Sequence, residues 1–127
     1  MPIQNASLNP TGGLPQVEIN VGFAHFAKYE FWLYDATGSN PVKFAEGDNS
    51  DTILDIFSIG NPPIPINDLA NRTLFWRAAI VSPVDIPEQN YAVTIRVSQD
   101  SLVVGTDSKT GPIESPPPFG FIRLEVA

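Results

Sequence analysis

Apolar and polar residues alternate along most of this chain with a period of two, the spacing that half-buries a β-strand. The densest apolar run, Lys28-Tyr29-Glu30-Phe31-Trp32-Leu33-Tyr34-Asp35, leads into the turn-forming residues Ala36 to Pro41 and predicts a central strand. Side chains alternate across a pleated backbone, so Tyr29, Phe31 and Leu33 share one face while Glu30, Trp32 and Tyr34 share the other. Both faces are rich in apolar surface. One can face a core, and the other then needs a cover or a partner.

Before this strand, Val17, Ile19, Val21 and Phe23 alternate with Glu18, Asn20, Gly22 and Ala24. This is a half-buried strand, and its short link through His25 predicts a hairpin with the central strand. After the turn, Val42 and Phe44 mark a short third strand ending at Glu46-Gly47. Asp51 to Ile59 fits helical spacing through Ile53, Ile56 and Phe57, and alternation through Ile53, Phe57 and Ile59; its β-branched and aromatic content favours a strand. Gly60-Asn61-Pro62-Pro63-Ile64-Pro65 cannot form a ladder and reads as an extended connection, with one helical turn after it at Asn67 to Asn71.

Long strands follow at Arg72 to Ser82 and Asn90 to Gln99, then a short one at Leu102 to Val104. Gly105 to Pro118 reads as a Pro- and Gly-punctuated loop, and the closing strand puts Ile122, Leu124 and Val126 on one face. Residues 1–15, with Pro2, Pro10, Pro15 and Gly12-Gly13, read as an extended N-terminal arm ahead of a single domain over residues 16–127. Seven or eight short strands without a long helical pattern predict an all-β fold: a single antiparallel β-sandwich of immunoglobulin-like or jelly-roll type.

Composition narrows the function. The chain has no cysteine, which removes disulfides and thiolate metal sites. Its 14 acidic residues outweigh 7 basic ones, for a net charge of -7, and a phosphate backbone calls for clustered Lys and Arg, so nucleic acid is not an expected partner. The sequence shows neither a signal-like start nor an apolar run of membrane-spanning length. The expected location is therefore the cytoplasm, or outside the cell by a non-classical route, without membrane contact.

Catalytic patterns are absent from the sequence. There is one histidine, His25, and no G-x-S-x-G around any serine; Ser58 comes nearest and lacks the first glycine. A lone histidine beside aromatics predicts a structural role, and Glu30 and Asp35 are the carboxylates a glycosidase would need only in the sense that any acidic domain has some. The expectation is a protein without enzymatic activity. Glu46, Asp48, Asn49 and Asp51 offer the oxygen ligands that Ca²⁺ prefers, although an acidic solvated turn has the same composition; no other cofactor is expected.

Trp32, Tyr34, Phe75 and Arg77 fall on the second faces of two long strands, with Trp76 on a first face. If exposed, such aromatics form a stacking platform for a sugar or an anchor for a protein; if covered, they are core. The leading reading is a binding or structural module that self-associates as a subunit of a homo-oligomer or larger assembly, its N-terminal arm clasping a neighbour's open sheet edge. The alternative is a lectin-like carbohydrate-binding domain, assisted by calcium.

Overall fold

The computed structural model describes residues 3–22, 25–49, 54–81, 90–113 and 116–127. Nine strands occur among them: β1 (Gln4–Leu8), β2 (Gln16–Val21), β3 (Phe26–Leu33), β4 (Val42–Asp48), β5 (Leu54–Ser58), β6 (Thr73–Val81), β7 (Asn90–Gln99), β8 (Leu102–Pro112) and β9 (Phe119–Val126). The chain is nearly all β, and one 3-10 turn, at Ile66–Leu69, occurs among the described residues. Two sheets form, neither closed into a barrel. One has five strands in the order β1-β9-β6-β3-β4, and the other has four in the order β5-β2-β7-β8. β1 runs parallel to β9, and every other pairing is antiparallel.

The pairings are nested. β3 and β4 form a hairpin, and β2 and β5, which flank it in sequence, pair with each other in the other sheet. β6 and β7 take their second partners, β9 and β8, from later in the chain. The β3–β4 turn is held by Asp35, whose Oδ1 accepts hydrogen bonds from the Thr37 hydroxyl (2.6 Å), the Ser39 amide (2.9 Å) and the Thr37 amide (3.0 Å). Those bonds, the Thr37 hydroxyl foremost, hold its carboxyl well below the usual carboxylate range.

One core lies between the sheets. Val17, Ile19 and Val21 of β2 and Val93, Ile95 and Val97 of β7 meet Phe31 and Leu33 of β3, Leu74 and Trp76 of β6, and Ile122 and Leu124 of β9. These are the inward residues of the predicted alternation, and Ile66 and Leu69 of the 3-10 turn join them.

At one side the sheets come very close. A Cβ at Gly105 of β8 would sit 2.6 Å from the Cβ of Ala6 in β1 and 2.8 Å from its Cα, so only glycine fits. Beside this contact the Trp76 indole Nε1 donates to Asp107 Oδ2 of β8 at 2.9 Å, and Lys109 Nζ lies 3.1 Å from Asp107 Oδ1. Gly120 of β9 lies under the pair, where a Cβ would be 2.7 Å from the indole nitrogen. At the other side the Tyr29 hydroxyl of β3 donates to Asp55 of β5 at 2.5 Å.

Four expectations change. β2 and β3 do not make a hairpin: they belong to different sheets, which lets Val17, Ile19 and Val21 face Tyr29, Phe31 and Leu33 across the core. Part of the expected arm, Gln4–Leu8, is strand β1 of the chain's own sheet, with Ala6 and Leu8 buried, and not a clasp on a neighbour's edge. Most of the expected loop from Gly105 is strand, because β8 continues to Pro112 against β7. As an edge strand it needs a partner on one side only, so its Ser, Thr and Gly residues are tolerated. The described strands therefore number nine, where seven or eight were expected.

Leu33, Trp76 and Ile95 are buried, in line with their positions in the pattern. Leu33→Ala is expected to cost about 2 to 5 kcal/mol in a denaturant titration. Asp107→Ala strands a buried indole N–H and an ammonium together, and a loss of about 3 to 5 kcal/mol is expected; a loss below half of that would mean the cross-sheet bond is incidental.

Candidate functional site

Register fixes the solvent face of the five-stranded sheet. Trp32 of β3 pairs with Phe75 of β6, and Phe75 pairs with Phe121 of β9, so three aromatic side chains stand abreast on adjacent strands. One rung along, Glu30 pairs with Arg77 and Arg77 with Phe119. The rings touch: Phe75 and Phe121 have centroids 5.1 Å apart, Phe119 and Phe121 are 6.1 Å apart, and Phe75 and Phe119 are 6.2 Å apart. On the β4 side, Lys43 lies over the Trp32 ring at 5.9 Å.

The aromatic row has a charged flank. Glu30 and Glu46 are directly opposite across β3 and β4, an unfavourable like-charge pair. Lys43 relieves it by standing 3.6 Å from Glu30 and 3.1 Å from Glu46, and Arg77 forms a salt bridge to Glu30. Partial burial acts to raise the pKa of Glu30, but the Arg77 hydrogen bond and charge, with Lys43 beside them, outweigh it and hold the carboxyl below its ordinary value. Lys28, Glu30, Glu46, Asp48, Arg77 and Pro117 line an open cleft of about 550 Å³ here. A second cavity, of about 640 Å³, lies between Leu33, Val42 and Phe44 and the prolines at 62, 63 and 65.

The other sheet is different. Over β2, β7 and most of β8 its solvent side carries residues such as Glu18, Asn20, Thr94, Arg96 and Ser108, and the exposed large apolar side chains of this sheet are Leu54 and Ile56 of the edge strand β5 and Leu102 and Val103 at the start of β8.

Of the residues singled out for a partner surface, Trp32, Phe75 and Arg77 come together on this face. Tyr34 lies just beyond β3; its amide donates to Thr73 O at 2.9 Å and its carbonyl accepts from Arg72 Nε at 3.0 Å. Trp76 belongs to the core. Phe119 and Phe121 complete the row, and the sequence reading missed them. Their signal was the second phase of the β9 alternation, opposite Ile122, Leu124 and Val126.

The calcium candidates are arranged differently from the expected loop. Glu46 and Asp48 are on strand β4, and Asn49 spends its side chain on backbone, accepting from the Ala27 amide at 2.9 Å and donating to His25 O at 2.8 Å. Asp51 lies outside the described residues. No cluster of three or more His, Cys, Asp or Glu suited to a metal occurs among the described residues. His25 is buried, its Nε2 2.8 Å from Asn90 O.

Comparison with protein-family models, curated proteins and solved structures finds no match to this chain.

Tyr29 shares its strand with this face but points inward. Burial first, and then its bond to Asp55 with the Asp55 and Asp48 charges, pushes its hydroxyl far above the ordinary tyrosine range. Because the folded chain holds this proton more tightly than the unfolded one, its contribution is complete below about pH 10 and is lost as the pH rises further. Denaturant midpoints measured from pH 8 to 11 are expected to fall more steeply above about pH 10 for the wild type than for Tyr29→Phe.

Proposed function

We propose that this chain is a non-enzymatic β-sandwich that works by self-association, as a subunit of a homo-oligomer or larger assembly. Two sheets sharing one core support the sandwich. The nested ladders support the jelly-roll over the immunoglobulin-like type. β3–β4 lies inside β2–β5, and β7–β8 inside β6–β9, so the chain makes two nested antiparallel ribbons, each of which gives one strand pair to each sheet. β1 is then an addition at one edge.

The observation that carries the function is the row Trp32, Phe75, Phe121 and Phe119 on the solvent side of the five-stranded sheet, rimmed by Glu30, Lys43 and Arg77. Clustered aromatics with an Arg at their margin are the composition of a protein–protein contact. The lectin-like reading is favoured by the neighbouring cleft, where carboxylates and the Arg77 guanidinium offer acceptors and donors to sugar hydroxyls.

Sedimentation velocity over a rising concentration series, with a glycan array run with and without a chelator, separates the two readings. The expected outcome is a sedimentation coefficient that climbs with concentration and an array without signal. A monomer throughout that binds glycans would replace the first reading by the second.

A further inference from the structure

We infer that two copies of this chain meet face to face across the solvent side of the five-stranded sheet, about a two-fold axis along β6, with the Trp32 indole of each copy covered by the other. The inference rests on the self-association proposed above and adds the surface, the symmetry and a specific contact.

Charge selects this face. Lys28, Lys43, Arg77 and Arg123 point to its solvent side, and so do Glu30, Glu46, Asp48 and Glu125. Four basic and four acidic residues cancel, so the described strand residues of this face carry no net charge, in a chain whose total is -7. Two acidic molecules repel over most of their surfaces. Across this face they meet mixed charge of both signs, which each copy can offer to the other.

The geometry is self-complementary. β6 is the middle strand of the five, and its Phe75 has Trp32 on one side and Phe121 on the other in the same rung. A two-fold axis along β6 lays Trp32 of each copy across from Phe121 of the other, so both aromatic rows are covered at once. Pairing through the β4 edge is less suitable, because that strand carries a bulge opposite Phe31 and Trp32 and charged Lys43 and Glu46.

Trp32 adds an independent sign. Its Nε1 is shielded from water and has no acceptor among the described residues, although the side chain is on the solvent side of the sheet. Buried donors are nearly always paired.

The absence of native cysteine gives a clean test, since any introduced cysteine is the only thiol. Thr73→Cys, beside Phe75 on this face, is expected to yield a covalent dimer with a short bis-maleimide, whereas Thr94→Cys, on the outer face of the other sheet, is not. In ¹H–¹⁵N spectra of the full chain the Trp32 indole signal, assigned with Trp32→Phe, is expected to move with concentration while that of Trp76 stays fixed. Phe75→Ser is expected to weaken association about tenfold or more with the Trp76 signal intact, which separates lost contact from lost fold. Added salt is expected to tighten association, because it screens the remaining like charge.

Association with an unmoved Trp32 signal, or cross-linking through Thr94→Cys in place of Thr73→Cys, overturns this interface and leaves self-association standing. Probes that are independent of concentration at every position overturn both.

Discussion

A carboxylate between two apolar sheets is costly to bury, and Asp107 is tolerated because the Trp76 indole meets one of its oxygens and Lys109 the other. The remaining geometry depends on that bond. It ties β8 of one sheet to β6 of the other, leaves room for no side chain at Gly120, and brings Gly105 onto Ala6 so that β1 can close the sheet's edge. The Tyr29–Asp55 bond makes the matching tie on the opposite side. Between these two polar links the core is apolar, so the inner faces are committed to folding and the outer faces are left for other uses.

The two outer faces use that freedom differently. Over most of the four-stranded sheet the solvent side is made of short polar and charged residues, as a water-facing surface requires. Over the five-stranded sheet, contiguous rings replace them, and Glu30 and Glu46 at their margin each have a cation beside them. The bulge at Phe44 contributes to this. It turns the Phe44 ring toward Phe31 while Lys43 stays over Trp32, so β4 serves the core and the solvent face within two residues.

How much of this was legible in the sequence depended on whether a residue's environment is set locally. The alternation Tyr91, Val93, Ile95, Val97 announces β7, because a strand buried on one face has to write its burial at every second position. β8 was hidden for the opposite reason. It is a polar edge strand whose single inward carboxylate is paid for by a tryptophan 31 residues away. Likewise the β2–β3 hairpin was inferred from proximity in sequence, while the true partners of β2, namely β5 and β7, are distant. Trp32 and Phe75 could be placed on one kind of face from their own strands. That they are abreast, and that Phe121 extends the row, follows only from the strand order.

The parallel pairing of β1 with β9 joins the first described strand to the last. During translation β1 is made well before its ladder partner, with seven other described strands between them. β6 and β7 wait as well, for β9 and β8. Ladders of such large sequence separation give a high contact order and slow folding. Before those partners are made the apolar strands have open edges, and chains at that stage are the ones most exposed to aggregation.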